Sequence, residues 1–228
     1  PIGMKRESWK KLWPFMKDGQ ETPTDLNLVG ELTVLRAKSM DDSEADYSWR
    51  IDPELAGLDA TRPITLTFAE YLRYHRDDVN YPSPWSVRLA IDTRDGHHIG
   101  NCMYYDISTK KSQCELGIMI GDRDYWSKGY GTDVIRTAVM HIFTDTKLDR
   151  IYLHTLSHNF RAQKSFDKAG FTPLTKVNRD GYEFILMEVW RDEWEANNPE
   201  LEISNPTEPP ARSVSPVSQT DTDTILGS

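Results

Sequence analysis

Cysteine is nearly absent from this sequence. Two residues of 228, Cys102 and Cys114, cannot staple a disulfide scaffold, and a chain of this length forms a core without staples. Both fall on one expected hairpin, so they could meet, but such sparse usage fits free thiols in a reducing compartment. Also missing is any run of about 20 consecutive apolar residues, the length a bilayer span requires. The start of the chain lacks the apolar stretch of a secretory signal. A cytoplasmic protein with no integral membrane association is therefore expected. Basic charge is in deficit, with 27 Lys and Arg against 36 Asp and Glu and a formal charge of −9. Nucleic-acid affinity rests on clustered Lys and Arg, so no nucleic-acid partner is expected. An acidic surface favours a cationic ligand instead. No internal repeat is present.

Composition divides the chain into three parts. Residues 1–29 form a basic, aromatic arm, with five Lys or Arg and two acids through Asp18. Trp9, Leu12, Trp13 and Met16 are spaced to line one helix face, although Pro14 strains a helix there. Their expected role is to pack back onto the domain or a second copy of the chain; a membrane-surface role is the alternative. Residues 30–195 form the domain. Residues 196–228 are rich in Pro, Ser and Thr and poor in large apolar side chains, and are expected to be disordered.

Within the domain, apolar periodicity alternates between 2 and 3.6. Strands are expected at Leu32–Arg36, Trp85–Ile91, Ile99–Ile107, Cys114–Ile120, Arg150–Thr155, Phe171–Val177 and Tyr182–Trp190, with turns at Asp95-Gly96 and Ser108–Lys111. Helices are expected after Asp41-Asp42-Ser43 through Arg50, after Thr65 or Thr67, over Gly131–Phe143, and over Asn159–Ala169 ending at Gly170. Antiparallel strands followed by a strand–helix–strand crossover give a mixed α+β layer with helices on both faces.

The most informative segment runs from Glu115 to Thr132. A strand feeds a glycine-rich turn and a helix starts at once, so main-chain N–H groups converge where the helix dipole adds positive charge, a geometry that holds phosphate. No Gly-Lys-Ser/Thr follows at P-loop distance and the dinucleotide Gly-x-Gly-x-x-Gly pattern is incomplete. Gly129-x-Gly131 alone is compatible with a plain tight turn.

Its context is more specific. Trp126-x-x-Gly129-x-Gly131 follows a Glu115-Leu116-Gly117 strand and precedes Asn159-x-x-Ala162-x-x-x-Phe166-x-x-x-Gly170-Phe171. This arrangement resembles the GNAT superfamily of acyl-CoA-dependent N-acyltransferases. Leu35-Arg36 and the stretch Asp52-Pro53-Glu54-Leu55 are similar to the ribosomal-protein N-acetyltransferase-like branch, in which Trp often opens the phosphate motif. The resemblance covers about residues 30–195. It implies a V-splayed mixed sheet with acetyl-CoA, as co-substrate, in the opening between two parallel strands.

Carried over residue by residue, the resemblance implies that the main chain around Ile118, Met119 and Ile120 pairs with the pantetheine arm. The turn comprising Trp126, Ser127, Lys128, Gly129, Tyr130, Gly131 and Thr132 would bind the pyrophosphate. Asn159 matches the family asparagine that contacts the cofactor arm or a water, and is equally suited to capping the helix. Glu115 is the candidate catalytic base that takes the proton of the attacking amine; a surface Glu at a strand end is the alternative. Phe166 stands where many relatives carry an acid Tyr, leaving Ser165, Tyr152, solvent or no dedicated acid for the departing thiolate. The expected activity is direct acetyl transfer to a primary amine, either a protein N-terminus or a small molecule. The alternatives are an acyl-CoA-binding sensor or scaffold that has lost turnover, and an interaction protein recruited through its arm. No metal is expected: His154 and His158 lie on a strand end and loop, and His97 and His98 point to opposite sheet faces. Trp85, Tyr104, Tyr105 and Trp190 are expected to fill the core or line an acceptor cleft, and the acids of Asp41–Asp46 to lie on a solvated helix surface.

Overall fold

The computed structural model describes residues 13–18 and 23–199. Trp9 and Leu12 of the arm, and the tail from residue 200, lie outside the described residues. Eight strands form one sheet: β1 (Asn27–Val29), β2 (Thr33–Ala37), β3 (Val87–Thr93), β4 (His98–Ser108), β5 (Gln113–Ile120), β6 (Arg150–Leu156), β7 (Thr172–Arg179) and β8 (Tyr182–Trp190). They are ordered β1-β2-β3-β4-β5-β6-β8-β7. Every neighbouring pair is antiparallel except β5 and β6, which run parallel. The helices are α1 (Ser43–Ile51), α2 (Pro53–Leu58), α3 (Phe68–Asn80), α4 (Tyr130–Asp145), α5 (Phe160–Lys168) and α6 (Arg191–Asn197). The mixed α+β architecture and the crossover through α4 match the expectation; β1, α2 and α6 were not anticipated.

Helices cover both faces, as alternation along β4 shows. Tyr104 faces α4, its hydroxyl 3.1 Å from His141 Nε2, whereas Asn101, at an odd position of the same strand, faces α1 and donates to Asp46 Oδ1 at 2.7 Å. Successive strand residues point to opposite faces. The core lies between the sheet and α4, where Val134, Ile135, Ala138, Val139 and Ile142 are buried as their spacing predicts. Trp13 and Phe15, from the arm, are buried in the same cluster. Met16 bridges to Thr146, so residues 13–16 run alongside the end of α4 in non-helical form. Arg191 closes that end, donating to the carbonyls of Phe143, Thr146 and Leu148, acceptors a helix C-terminus leaves unsatisfied.

Two expectations are corrected. Asp42 and Asp46 are buried, not solvated. Arg36 donates to Asp42 and Asp92, and Lys38 and His98 reach Asp46, so burial of the acids is offset by paired charge. Trp85 and Trp190 neither fill the core nor line the cleft described below; both are exposed, because each stands at a strand end. Cys102 and Cys114 are free and buried.

Candidate active site

Backbone pairing creates the cleft. β5 pairs with β6 over only three rungs, Gln113–Arg150, Cys114–Ile151 and Glu115–Tyr152, yet β5 continues to Ile120 and β6 to Leu156. β4 holds the other edge of β5 through Ile120 and β8 holds the far edge of β6, so the two strands part after Glu115. Ile118–Ile120 then have no strand partner on that edge and line a cavity of about 530 Å³. An extended ligand arm can add there as another strand would.

The cavity wall continues through Trp126, Ser127, Gly129, Gly131 and Thr132 of the turn, Asn159 and Ala162 near the start of α5, and Leu55 and Leu58 of α2. Lys128 and Tyr130 belong to the turn but not to the wall; the Tyr130 ring packs edge-on to Tyr125 at 4.9 Å. The turn has the geometry the sequence suggests. Ser127 and Gly129 have φ of 59° and 94°, and Gly129 is the N-cap of α4 with no side chain capping the helix. The first-turn N–H groups of α4 are therefore directed toward the cavity end without a side-chain acceptor. Its position is fixed by Asp133, which accepts from Glu31 N, Leu32 N and Thr33 N at 2.9–3.0 Å and from Thr33 Oγ1 at 2.6 Å. Trp126 is fixed in turn: its Nε1 donates to Ile120 O at 2.7 Å, and the Arg161 guanidinium covers its ring at 3.6 Å. Gly121 has no room for a Cβ, which would sit 2.1 Å from the Trp49 ring.

Asn159 caps a helix at the cavity wall. Its Oδ1 accepts from Ala162 N at 3.2 Å, capping α5, and it lines the cavity. Phe166 is buried against Phe171, ring centroids 5.7 Å apart. Ser165 lies at the turn end of the cavity, its Oγ 3.7 Å from where a Cβ on Gly131 would be. Tyr152, by contrast, pairs directly with Glu115 at the fork, and its hydroxyl is pushed up to about 12 by burial and then by the Glu115 charge.

Glu115 does not line the cavity. It occupies the last paired rung, 7% exposed, and its Oε1 accepts from His154 Nδ1 at 2.7 Å. Tyr105, opposite it on β4, is held well above the ordinary phenol range by burial first, then by the charge and hydrogen bonding of Glu115, with Asp106 and Asp59 adding to it. A carboxylate, an imidazole and two phenols thus gather where the strands diverge. Sequence reasoning missed His154 and Tyr105 as members of this group. The β4–β5 register would have found Tyr105, since it sits across from Glu115. His154 needed the β5–β6 register, which places it one same-face step beyond Tyr152. His158 does not join the group: it lies in the turn after β6. Among the described residues no set of three or more His, Cys, Asp or Glu side chains could hold a metal ion.

Comparison with known proteins agrees with this geometry. The sequence profile of the Acetyltransferase (GNAT) domain matches residues 33–172. The uncharacterized N-acetyltransferase p20 of Bacillus licheniformis is 23% identical over 150 residues, covering 63% of this chain and 81% of that protein. Spermidine N-acetyltransferase of Vibrio cholerae, solved with CoA and spermine, superposes with TM-score 0.63 at 18% identity, over 71% of this chain and 97% of the other. Mycobacterium smegmatis RimJ, solved with CoA-disulfide, gives 0.61 at 16% identity, over 75% and 90%.

Proposed function

This chain belongs to the GNAT acetyltransferase family, and from that premise we propose that its fork is an acetyl-transfer site for a cationic primary amine, with Glu115 as base. Membership makes it an acyltransferase that uses acetyl-CoA. The residues of the site and the nature of the acceptor are what the proposal adds. It rests on one observation above the others: a buried carboxylate stands at the point where β5 and β6 separate, on the strand whose free edge lines a cavity that runs on to the start of α4.

The chemistry then divides among this chain's own groups. The open edge of Ile118–Ile120 and the turn Trp126–Thr132, with Asn159, receive acetyl-CoA, which supplies an activated acyl group. An N–H near Ile118 or Met119 donates to the thioester oxygen as negative charge develops. Glu115 takes the proton that an ammonium must lose before its nitrogen can attack. Tyr152 holds its proton at neutral pH and stands in the rung beside Glu115, which makes it a better candidate than Ser165 to protonate the departing thiolate. Asp59 and Asp106 add negative charge around the fork and favour an acceptor that arrives positively charged.

The residues behind the branch resemblance serve the fold. Arg36 is engaged by Asp42 and Asp92, and Asp52 caps α2 and pairs with Arg123. Acceptor choice therefore rests on the fork, which suits the amine common to a protein N-terminus and a polyamine. The test is release of free CoA thiol with spermine, an aminoglycoside and alanine- or serine-initiated peptides, comparing wild type with Glu115→Gln. Turnover should concentrate in one acceptor class, and the substitution should lower kcat by roughly 10²–10⁴-fold with acetyl-CoA affinity unchanged. An undiminished Glu115→Gln enzyme removes Glu115 as base; binding of acetyl-CoA without turnover of any amine would favour the sensor reading.

A further inference from the structure

His154 has no part in the mechanism so far, yet it is the nearest polar neighbour of the candidate base. Its Nδ1 lies 2.7 Å from Glu115 Oε1, with side-chain exposure of 8% and 10% for the two residues. The ring is gripped on two sides, edge-on to Tyr152 at 6.0 Å and to Phe184 at 6.3 Å. The alternation of β6 and the fork of the sheet bring it there; no helix or loop is involved. A carboxylate on a strand normally has several rotamers open to it, and one fixed hydrogen bond to a clamped ring selects among them.

We infer that His154 is a positioning residue for Glu115: its Nδ1–H holds Oε1 and so fixes the carboxylate in the orientation from which it receives the amine proton. The inference rests on Glu115 acting as base. In the reaction the ammonium N–H bond breaks and an O–H bond forms on Glu115, while the imidazole keeps its Nδ1 proton throughout. Loss of the Nδ1–H donor removes a hydrogen bond to the charged form of the carboxylate and lets its side chain turn, so both kcat and the acid limb of the activity profile should respond. The other titratable or charged groups around the pair are Tyr105 and Asp106 from β4, Arg150 and Tyr152 from β6, Glu188 from β8 and Asp59, which follows α2. None of them touches His154 Nδ1 within hydrogen-bonding distance; Glu115 does.

The experiment compares wild type, His154→Phe, His154→Asn and Glu115→Gln in the full chain, with spermine and an alanine-initiated peptide as acceptors. His154→Phe keeps an aromatic ring between Tyr152 and Phe184 but removes the donor. His154→Asn places an amide N–H near the position of Nδ1. Acetyl-CoA binding by calorimetry and thermal melting verify that each variant is folded. The expected result is a kcat lowered about 10–100-fold in His154→Phe, an acetyl-CoA KM within about two-fold of wild type, partial recovery of kcat in His154→Asn, and an acid limb of kcat/KM displaced by ~0.5 pH unit or more in both. A folded His154→Phe with wild-type kcat and pH profile, alongside an inactive Glu115→Gln, overturns the role of His154 and leaves Glu115 standing. Should His154→Phe not fold, an unshifted acid limb in His154→Asn overturns it equally. Full activity in Glu115→Gln, or no turnover of either acceptor by wild type, removes the inference together with its parent reading.

Discussion

Replacing Asp133 tests how the glycine turn at the start of α4 is held. The carboxylate accepts three main-chain N–H groups and one hydroxyl from residues 31–33, all about 100 positions away in sequence. Thr33 is fully buried, so in Asp133→Ala its N–H and hydroxyl lose their acceptor with no water to replace it. Hydrogen bonds to a charged group contribute about 1.5–3 kcal/mol each and do not add fully; with the Glu31 end nearer solvent, a total of roughly 3–5 kcal/mol is expected. Asp133→Asn can keep an oxygen at the Oδ2 position, which serves three of the four donors. It turns an amide N–H toward Glu31 N, so a loss of about 2 kcal/mol is expected. For a domain of this size each kcal/mol moves the melting midpoint by about 2–4 °C. Calorimetric scans should therefore show drops of roughly 8–15 °C for Ala and ~4–8 °C for Asn. Leu32 lies against Gly129, its Cδ1 3.4 Å from where a Cβ there would be, so release of the β1–β2 turn should also weaken acetyl-CoA binding. An Asp133→Ala protein that melts within about 2 °C of wild type would refute the reasoning.

Other outcomes follow from the same physics. Burial raises the Asp42 carboxyl, but the Arg36 hydrogen bond and the charges around it outweigh burial and hold it at about 2. A depressed carboxylate contributes stability that is fully present above its unfolded value near ~4 and is lost as pH falls toward ~2, here roughly 2 kcal/mol; urea unfolding over that window should show the slope, and Asp42→Asn should flatten it. Gly129→Ala forces a side chain into φ of 94°, costing about 1–2 kcal/mol, and acetyl-CoA calorimetry should show an affinity weakened about ten-fold or more. Burial pushes the Cys102 thiol up to about 12 and the Cys114 thiol higher still; iodoacetamide at pH 8 should label neither in the native protein and both after unfolding. Arg191→Ala removes a donor from the carbonyls of Phe143, Thr146 and Leu148, at and just past the end of α4, and should lower the melting midpoint by several degrees while leaving kcat unchanged.

The local pattern of the chain carried a good deal of this. Alternating and 3.6-spaced apolar residues located seven of the strands and the helices beginning near Ser43, Phe68, Tyr130 and Phe160, because these periods report directly which face of an element is buried. The glycine turn at 129–131 and the asparagine cap at 159 were legible for the same reason: cap and turn chemistry depends on residues three or four apart. The burial of Asp42 was not. A Ser/Asp-rich helix start looks identical whether it faces water or an Arg; here Arg36, six residues before Asp42, is shared between it and Asp92, which is 56 residues from Arg36.

By itself, then, the sequence determined seven of the strands, four of the helices, their order and the glycine turn before α4. Only the tertiary structure decided which side chains meet Glu115. Tyr105 and His154 reach it through the pairing of three strands and through the rung at which β5 and β6 stop pairing. Registers between strands are set by packing of the whole sheet, and no window of neighbouring residues contains them.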